Sequence, residues 1–166
     1  MTKSLTEPST YRIEKTRADA VLTLINNDTL RGCFFVAQAS ARTPGPELVG
    51  ELLNGDGDFF PFEIHGRTAT ETVLLNRRQV MTVALADNEA RREPGYEVAP
   101  ERFVSIRLSN GARLSGSIHV HRPAGKDRLS DWARHPGLFR YLETETVTML
   151  INVAHVVEVK EAARDA

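Results

Sequence analysis

The chain has 166 residues, 41% apolar and 26% charged, with one cysteine and a formal net charge of -1. That length gives one medium domain or two small ones. The near-zero charge removes any global pull toward nucleic acid or anionic membrane, and one cysteine excludes an internal disulfide framework. No apolar run approaches the roughly 18 residues of a membrane helix, and the first 17 residues lack the apolar core of a secretory leader. The expected location is therefore the cytoplasm. The charge is uneven: residues 1–100 hold 11 Lys+Arg against 14 Asp+Glu, and residues 101–166 hold 10 against 8.

In chain order, residues 1–17 form an N-terminal extension. A first β unit covers 18–86. Its opening strand leads to a turn at Asn27-Asp28, and the next strand carries a central Gly32. "QASARTPGPE" (38–47) is a loop, and "LVGELLN" (48–54) has the length of one helical turn. Further strands are predicted at Phe59–Ile64, Thr72–Leu75 and Val80–Leu85, the last two joined by a turn at Asn76. A polar linker follows at 87–101, where Pro94-Gly95 signals a turn.

A second β unit covers 102–161, leaving a tail at 162–166. Val104, Ile106 and Leu108 alternate with Ser105, Arg107 and Ser109, the period of a half-buried strand. Asn110-Gly111 is a strong hairpin signal, of the type with positive φ at both central residues. The returning strand carries Gly116, and a glycine inside a strand marks a bend or bulge. "DRLSDWARH" (127–135) predicts a short helix with Leu129 and Trp132 on one face, ended by Pro136-Gly137. Strands at Phe139–Glu143, Val147–Ile151 and Val156–Lys160 complete the unit, with a turn at Asn152.

The two units share one pattern. With Gly32 placed on Gly116, Leu22, Leu24, Leu30, Phe34 and Val36 fall on Ile106, Leu108, Leu114, Ile118 and Val120. "LLNRRQVMTV" (74–83) falls on "LINVAHVVEV" (150–159), and "DFFPFEI" (58–64) is placed on "GLFRYLE" (137–143). The predicted fold is all-β. It comprises two tandem five-stranded SH3-like or Sm-like small barrels from an internal duplication, with a short helix in the second.

"VSIRLSNGARLSGSIHV" resembles the first motif of Sm-like proteins, and "TMLINVAHVVEV" resembles their second in rhythm. The run "RLSDW…LFRYLET…TMLIN…VVEV" is similar to small bacterial domains of unknown function in this barrel class. The resemblance implies the small-barrel fold and raises single-stranded RNA binding as an alternative function. The Arg-Gly pair of Sm-like RNA sites is absent: the matching turns read Asn76-Arg77-Arg78 and Asn152-Val153-Ala154. No uridine-binding residue carries over.

No nucleophile elbow, phosphate-binding glycine loop or dinucleotide fingerprint is present. Asp127 and Asp131 with Arg134 suit a helix dipole better than acid–base work, and Ser130, Asp131 and His135 lack a catalytic context. The protein is expected not to be an enzyme and to use no cofactor. His119 and His121 share a strand face, with His135 as a third metal ligand on that reading, but no cysteine or clear carboxylate accompanies them. Asn76 and Asn152 are read as turn-stabilising side chains.

Two surfaces stand out. Val21, Ile25, Cys33 and Phe35 fall on the outward strand faces of the first unit, where the second keeps the polar Ser105, Ser109, Ser117 and His119. An apolar outward face calls for a cover, either the second unit, the N-terminal segment with Leu5, Tyr11 and Ile13, or another chain, and these four are the predicted interaction surface for a protein partner or self-association. A basic patch of Arg107, Arg113, Arg122, Lys126 and Arg128 is the alternative, for RNA. On the first unit, Arg31, Arg67, Arg77 and Arg78 form a further predicted cationic group. Trp132 and Tyr141, the aromatics nearest the basic patch, are expected to be largely buried, which removes the stacking platform that single-stranded nucleic acid needs.

Overall fold

The computed structural model describes residues 15–121 and 128–164. They form ten antiparallel strands in one sheet, with two five-residue helices. The strands are β1 (Lys15–Leu24), β2 (Thr29–Ala37), β3 (Phe59–His65), β4 (Thr70–Asn76) and β5 (Val80–Leu85), then β6 (Glu101–Leu108), β7 (Arg113–His119), β8 (Phe139–Glu143), β9 (Thr148–Asn152) and β10 (Val156–Glu161). Helix α1 (Val49–Leu53) lies between β2 and β3, and α2 (Leu129–Ala133) between β7 and β8. Both were legible as short helical turns. No helix among the described residues is long and apolar enough to cross a membrane.

The order across the sheet is β10-β6-β7-β8-β9-β5-β1-β2-β3-β4. Within each half, the first strand therefore sits between the second and the fifth. The halves meet where β5 pairs with β9, Thr82 opposite Ile151 through Leu85 opposite Thr148. They also exchange core residues. Phe139 and Leu150 pack with Leu22, Phe34 and Phe62 of the first half, while Met81 packs with Val104, Ile106 and Ile118 of the second.

The hairpin turns differ from the sequence expectation. Only the third residue of each turn has positive φ, Asn27 (70°) and Gly111 (87°). Leu108 N–H donates to Ala112 and Gly111 N–H to Leu108, and Leu24, Asn27 and Asp28 repeat the pattern. This is a three-residue connection with one left-handed residue, not a two-residue turn with two. Asn26 and Asn110 brace the turns by accepting from the N–H of Asp28 and Ala112. The matched turn residues are thus Asn26-Asn27 and Asn110-Gly111.

Gly32 and Gly116 have a firmer reason than strand bending. A Cβ at Gly32 would lie 1.7 Å from the Glu63 carbonyl oxygen, and one at Gly116 2.4 Å from that of Glu143. The third strand of each half crosses directly over the glycine, and only hydrogen fits. That crossing corrects the alignment of the third strands. Cys33 stands opposite Glu63 and Ser117 opposite Glu143, so Glu63 matches Glu143 and Phe59 matches Phe139. Placing 58–64 on 137–143 was one residue out of step, and one residue exchanges the two faces of a strand.

Gly116→Ala is expected to cost more than about 3 kcal/mol, because a backbone carbonyl cannot yield as a side chain can. Gly111→Ala meets open space and should cost only the left-handed penalty of about 1–2 kcal/mol. Urea denaturation of both variants measures the difference; equal losses would refute the crossing constraint.

Candidate functional site

The predicted apolar surface does not form one open patch. Cys33 is fully buried, Val21 and Phe35 are half-buried, and Ile25, 37% exposed, lies at the turn. Cys33 is flanked by Asp19 on β1 and Glu63 on β3. Glu63 Oε1 also meets His65 (3.1 Å), and Arg17 reaches its Oε2 (3.5 Å). The alternation of β2 placed Cys33 outward, but the charged side chains of neighbouring strands enclose it.

Of the predicted cationic residues, Arg77, Arg107 and Arg113 are held by contacts within the protein, while Arg31, Arg67 and Arg78 are exposed. Arg77 is buried, not surface-exposed: its guanidinium donates to the carbonyls of Leu52, Leu53, Gly57 and Phe59 and lies over the Phe60 ring. It satisfies the open end of α1. Arg107 and Arg113 both face Glu158, at 3.6 and 3.9 Å. Arg128 is exposed, and Arg122 and Lys126 lie outside the described residues, as does Asp127.

Asn76 and Asn152 each accept from a backbone N–H two residues on, as turn residues should. Asn152 does more. Its side-chain amide, wholly buried, donates to Val80 O at 2.9 Å and so bonds the halves together.

The three histidines do not converge into a metal site. Among the described residues, the one group of at least three His, Cys, Asp or Glu ligand atoms mutually within 4.8 Å is Cys33, Glu63 and His65. His119 instead turns to Glu143, Nδ1 to Oε2 at 3.2 Å, and stacks on the Tyr96 ring at 4.1 Å. Burial holds His119 below its ordinary pKa, with Glu143 opposing, so at neutral pH a neutral ring donates to the carboxylate. Glu143 also accepts from Asn88 (2.6 Å) and from Tyr96 (2.8 Å). The Ser117 hydroxyl donates to Glu101 (2.7 Å) and accepts from Arg164 (3.0 Å).

Tyr96, Ser117, His119 and Glu143 line a cleft of about 390 Å³, with His121, His135, Trp132, Arg140 and Tyr141 on its other walls. Trp132 is buried, and Arg140 lies over its ring at 5.1 Å while donating to the carbonyls of Trp132 and His135.

The linker supplies what the sequence reading passed over. Glu89, in a short 3-10 turn, is 4% exposed. It accepts from Val49 N–H (2.9 Å) and Gly50 N–H (3.0 Å) at the start of α1, and from the Tyr141 hydroxyl. Asn88 and Tyr96, also linker residues, bind Glu143. The polar linker thus bridges the halves. The only local signal was its carboxylates and tyrosine, which a solvated linker would also carry.

No family model, curated protein or solved structure matches this chain.

Burial pushes the Glu89 carboxyl up, against the three hydrogen bonds that favour its ionised form. Its folded pKa then exceeds the unfolded one, so the folded state binds the proton more tightly. Its contribution to stability is full below the unfolded value and declines as pH rises through the folded value. Glu89→Gln removes this titration. The unfolding free energy of the variant relative to wild type should therefore rise between pH 4 and pH 7, measured by denaturation at each pH. A flat or falling difference would show that burial does not raise the Glu89 carboxyl.

Proposed function

We propose that this protein is a non-catalytic scaffold module whose principal contact is head-to-tail association with further copies of itself. Its halves are read as two five-stranded Sm-like or SH3-like small barrels produced by duplication. The strand order within each half, fifth-first-second-third-fourth, supports that reading, as do the matched turns, glycines and caps.

One observation carries the proposal. Phe59, Leu74 and Val157 are 57%, 69% and 53% exposed. Their counterparts under the internal match are Phe139, Leu150 and Met81, each at most 3% exposed and packed at the seam between halves. The same residue type is buried where β5 meets β9 and bare where β4 and β10 form the ends of the sheet. Among the described residues neither end strand has an outer partner. An open edge flanked by apolar side chains is a template for another strand.

The internal ladder supplies the register. Val83 opposite Leu150 becomes Val159 opposite Leu74 of the next copy, and Ala84 opposite Met149 becomes Lys160 opposite Val73. Asn76 then donates to Val156 O of that copy, as Asn152 does to Val80 O. The contact is heterologous, so it closes into a ring or extends as a filament according to the rotation between copies.

The alternative, single-stranded RNA binding through Arg107, Arg113, Arg122, Lys126 and Arg128, has less support. Arg107 and Arg113 share Glu158, Trp132 is buried, and the Tyr141 hydroxyl is occupied by Glu89.

Light scattering on the full chain should give a mass of several copies. Leu74→Lys or Val157→Lys, both at exposed positions, should weaken association about ten- to hundredfold, from the roughly 1.5–3 kcal/mol of burying one such side chain. Each variant keeps one intact edge, so an equimolar mixture should form a dimer of the two. A wild-type monomer at high concentration, or a mixture that stays monomeric, would overturn the proposal.

A further inference from the structure

Cys33, Glu63 and His65 join one face of two paired strands. Cys33 and Glu63 are direct cross-strand partners on β2 and β3. His65 is two residues along β3, so its side chain leaves the same face. Cys33 Sγ lies 3.8 Å from Glu63 Oε1, and His65 Nε2 lies 3.1 Å from that same oxygen. All three ligand atoms are mutually within 4.8 Å.

Tetrahedral zinc, with bonds of about 2.3 Å to sulfur and about 2.0 Å to nitrogen or oxygen, sets neighbouring ligand atoms roughly 3.3–3.5 Å apart. The two measured separations bracket that edge. Thiolate, imidazole and carboxylate together are a donor set that suits zinc and not calcium or magnesium.

We propose that Cys33, Glu63 and His65 bind one zinc ion through Sγ, a carboxylate oxygen and Nε2, with water in the fourth position. Cys33 and Glu63 are buried and fixed by strand pairing. The His65 side chain is 43% exposed, which lets it close on the ion and leaves an opening for the water.

The surroundings favour a cation. Asp19 and Glu63, the cross-strand neighbours of Cys33, bring a carboxylate to either side of the thiol. Arg17 is largely exposed and reaches Glu63 Oε2, not Oε1, so it can remain while Oε1 turns to the metal. On binding, the Cys33 thiol proton leaves to solvent. His65 binds through the Nε2 lone pair, with the ring proton on Nδ1.

The matched positions in the second half are Ser117, Glu143 and Glu145. The carboxylate is kept there, but thiol and imidazole are absent and Asn88, Tyr96 and His119 surround it instead. The matched positions thus carry a thiol–imidazole–carboxylate group in one half and a hydrogen-bonded carboxylate in the other.

Cobalt(II) is the test, added to the full chain freed of metal by chelation. Cys33 is the only cysteine, so a near-ultraviolet thiolate-to-cobalt band identifies it as a ligand. The expected result is that band together with tetrahedral-intensity visible bands, saturating at one ion per chain and displaced by one equivalent of zinc. Cys33→Ser should abolish the thiolate band while keeping the fold, since the matched position is already serine. His65→Ala should lower cobalt affinity at least about tenfold, because even outer-shell partners carry that much. His119→Ala should change nothing. Absence of the thiolate band in the wild-type chain, or unchanged affinity in His65→Ala, would overturn the site.

Discussion

The ladder between β5 and β9 is the constraint on which the rest depends. Thr82 to Leu85 pair with Ile151 to Thr148 and turn two five-stranded halves into one sheet. The join is more than edge contact, because each half places large side chains in the other's core: Phe139 and Leu150 in one direction, Met81 in the other. Asn152 reinforces it with a buried amide bond to Val80 O. Removing one partner of such a bond would leave a buried polar group unpaired, which costs about 1–3 kcal/mol. The seam is therefore specified by hydrogen bonding as well as by apolar fit.

Because the ladder uses the fifth strand of one half and the fourth of the other, it leaves a fourth and a fifth strand at the sheet ends. The asymmetry in exposure follows. Leu150 and Leu74 occupy matched positions, but one is enclosed and the other faces solvent. The same ladder fixes where the linker runs. Glu89 can cap α1 while bonding Tyr141 of β8 because the halves are held at one spacing. The cleft containing His119, Tyr96 and Glu143 is bounded by that arrangement.

Matched frames with different side chains are where the halves part company. Gly32 and Gly116 admit the carbonyls of Glu63 and Glu143, which sets both carboxylates beside the residue after the glycine. That residue is Cys33 in one half and Ser117 in the other. The polar partners then diverge: Arg17 and His65 for Glu63, but Asn88, Tyr96 and His119 for Glu143. The two carboxylates therefore sit among different side chains in the two halves.

Sequence by itself determined the all-β class, the ten strand positions to within a few residues, the two short helices and the turn roles of Asn76 and Asn152. These are local matters, set by alternation, by turn residues and by glycines that must lack a Cβ. It also singled out Cys33 as odd. Tertiary structure alone decided that Cys33 is enclosed by Asp19 and Glu63, that Arg77 is buried on the carbonyls at the end of α1, and that Glu89 is a cap and not a solvated linker charge. It also corrected the third-strand match by one residue. The reason is common to all four. Each depends on which strand crosses which, and partners such as Cys33 and Glu63, 30 residues apart, leave no periodic trace along the chain. The free edges at β4 and β10 are decided the same way, since nothing in either strand's own residues says which neighbour it will find.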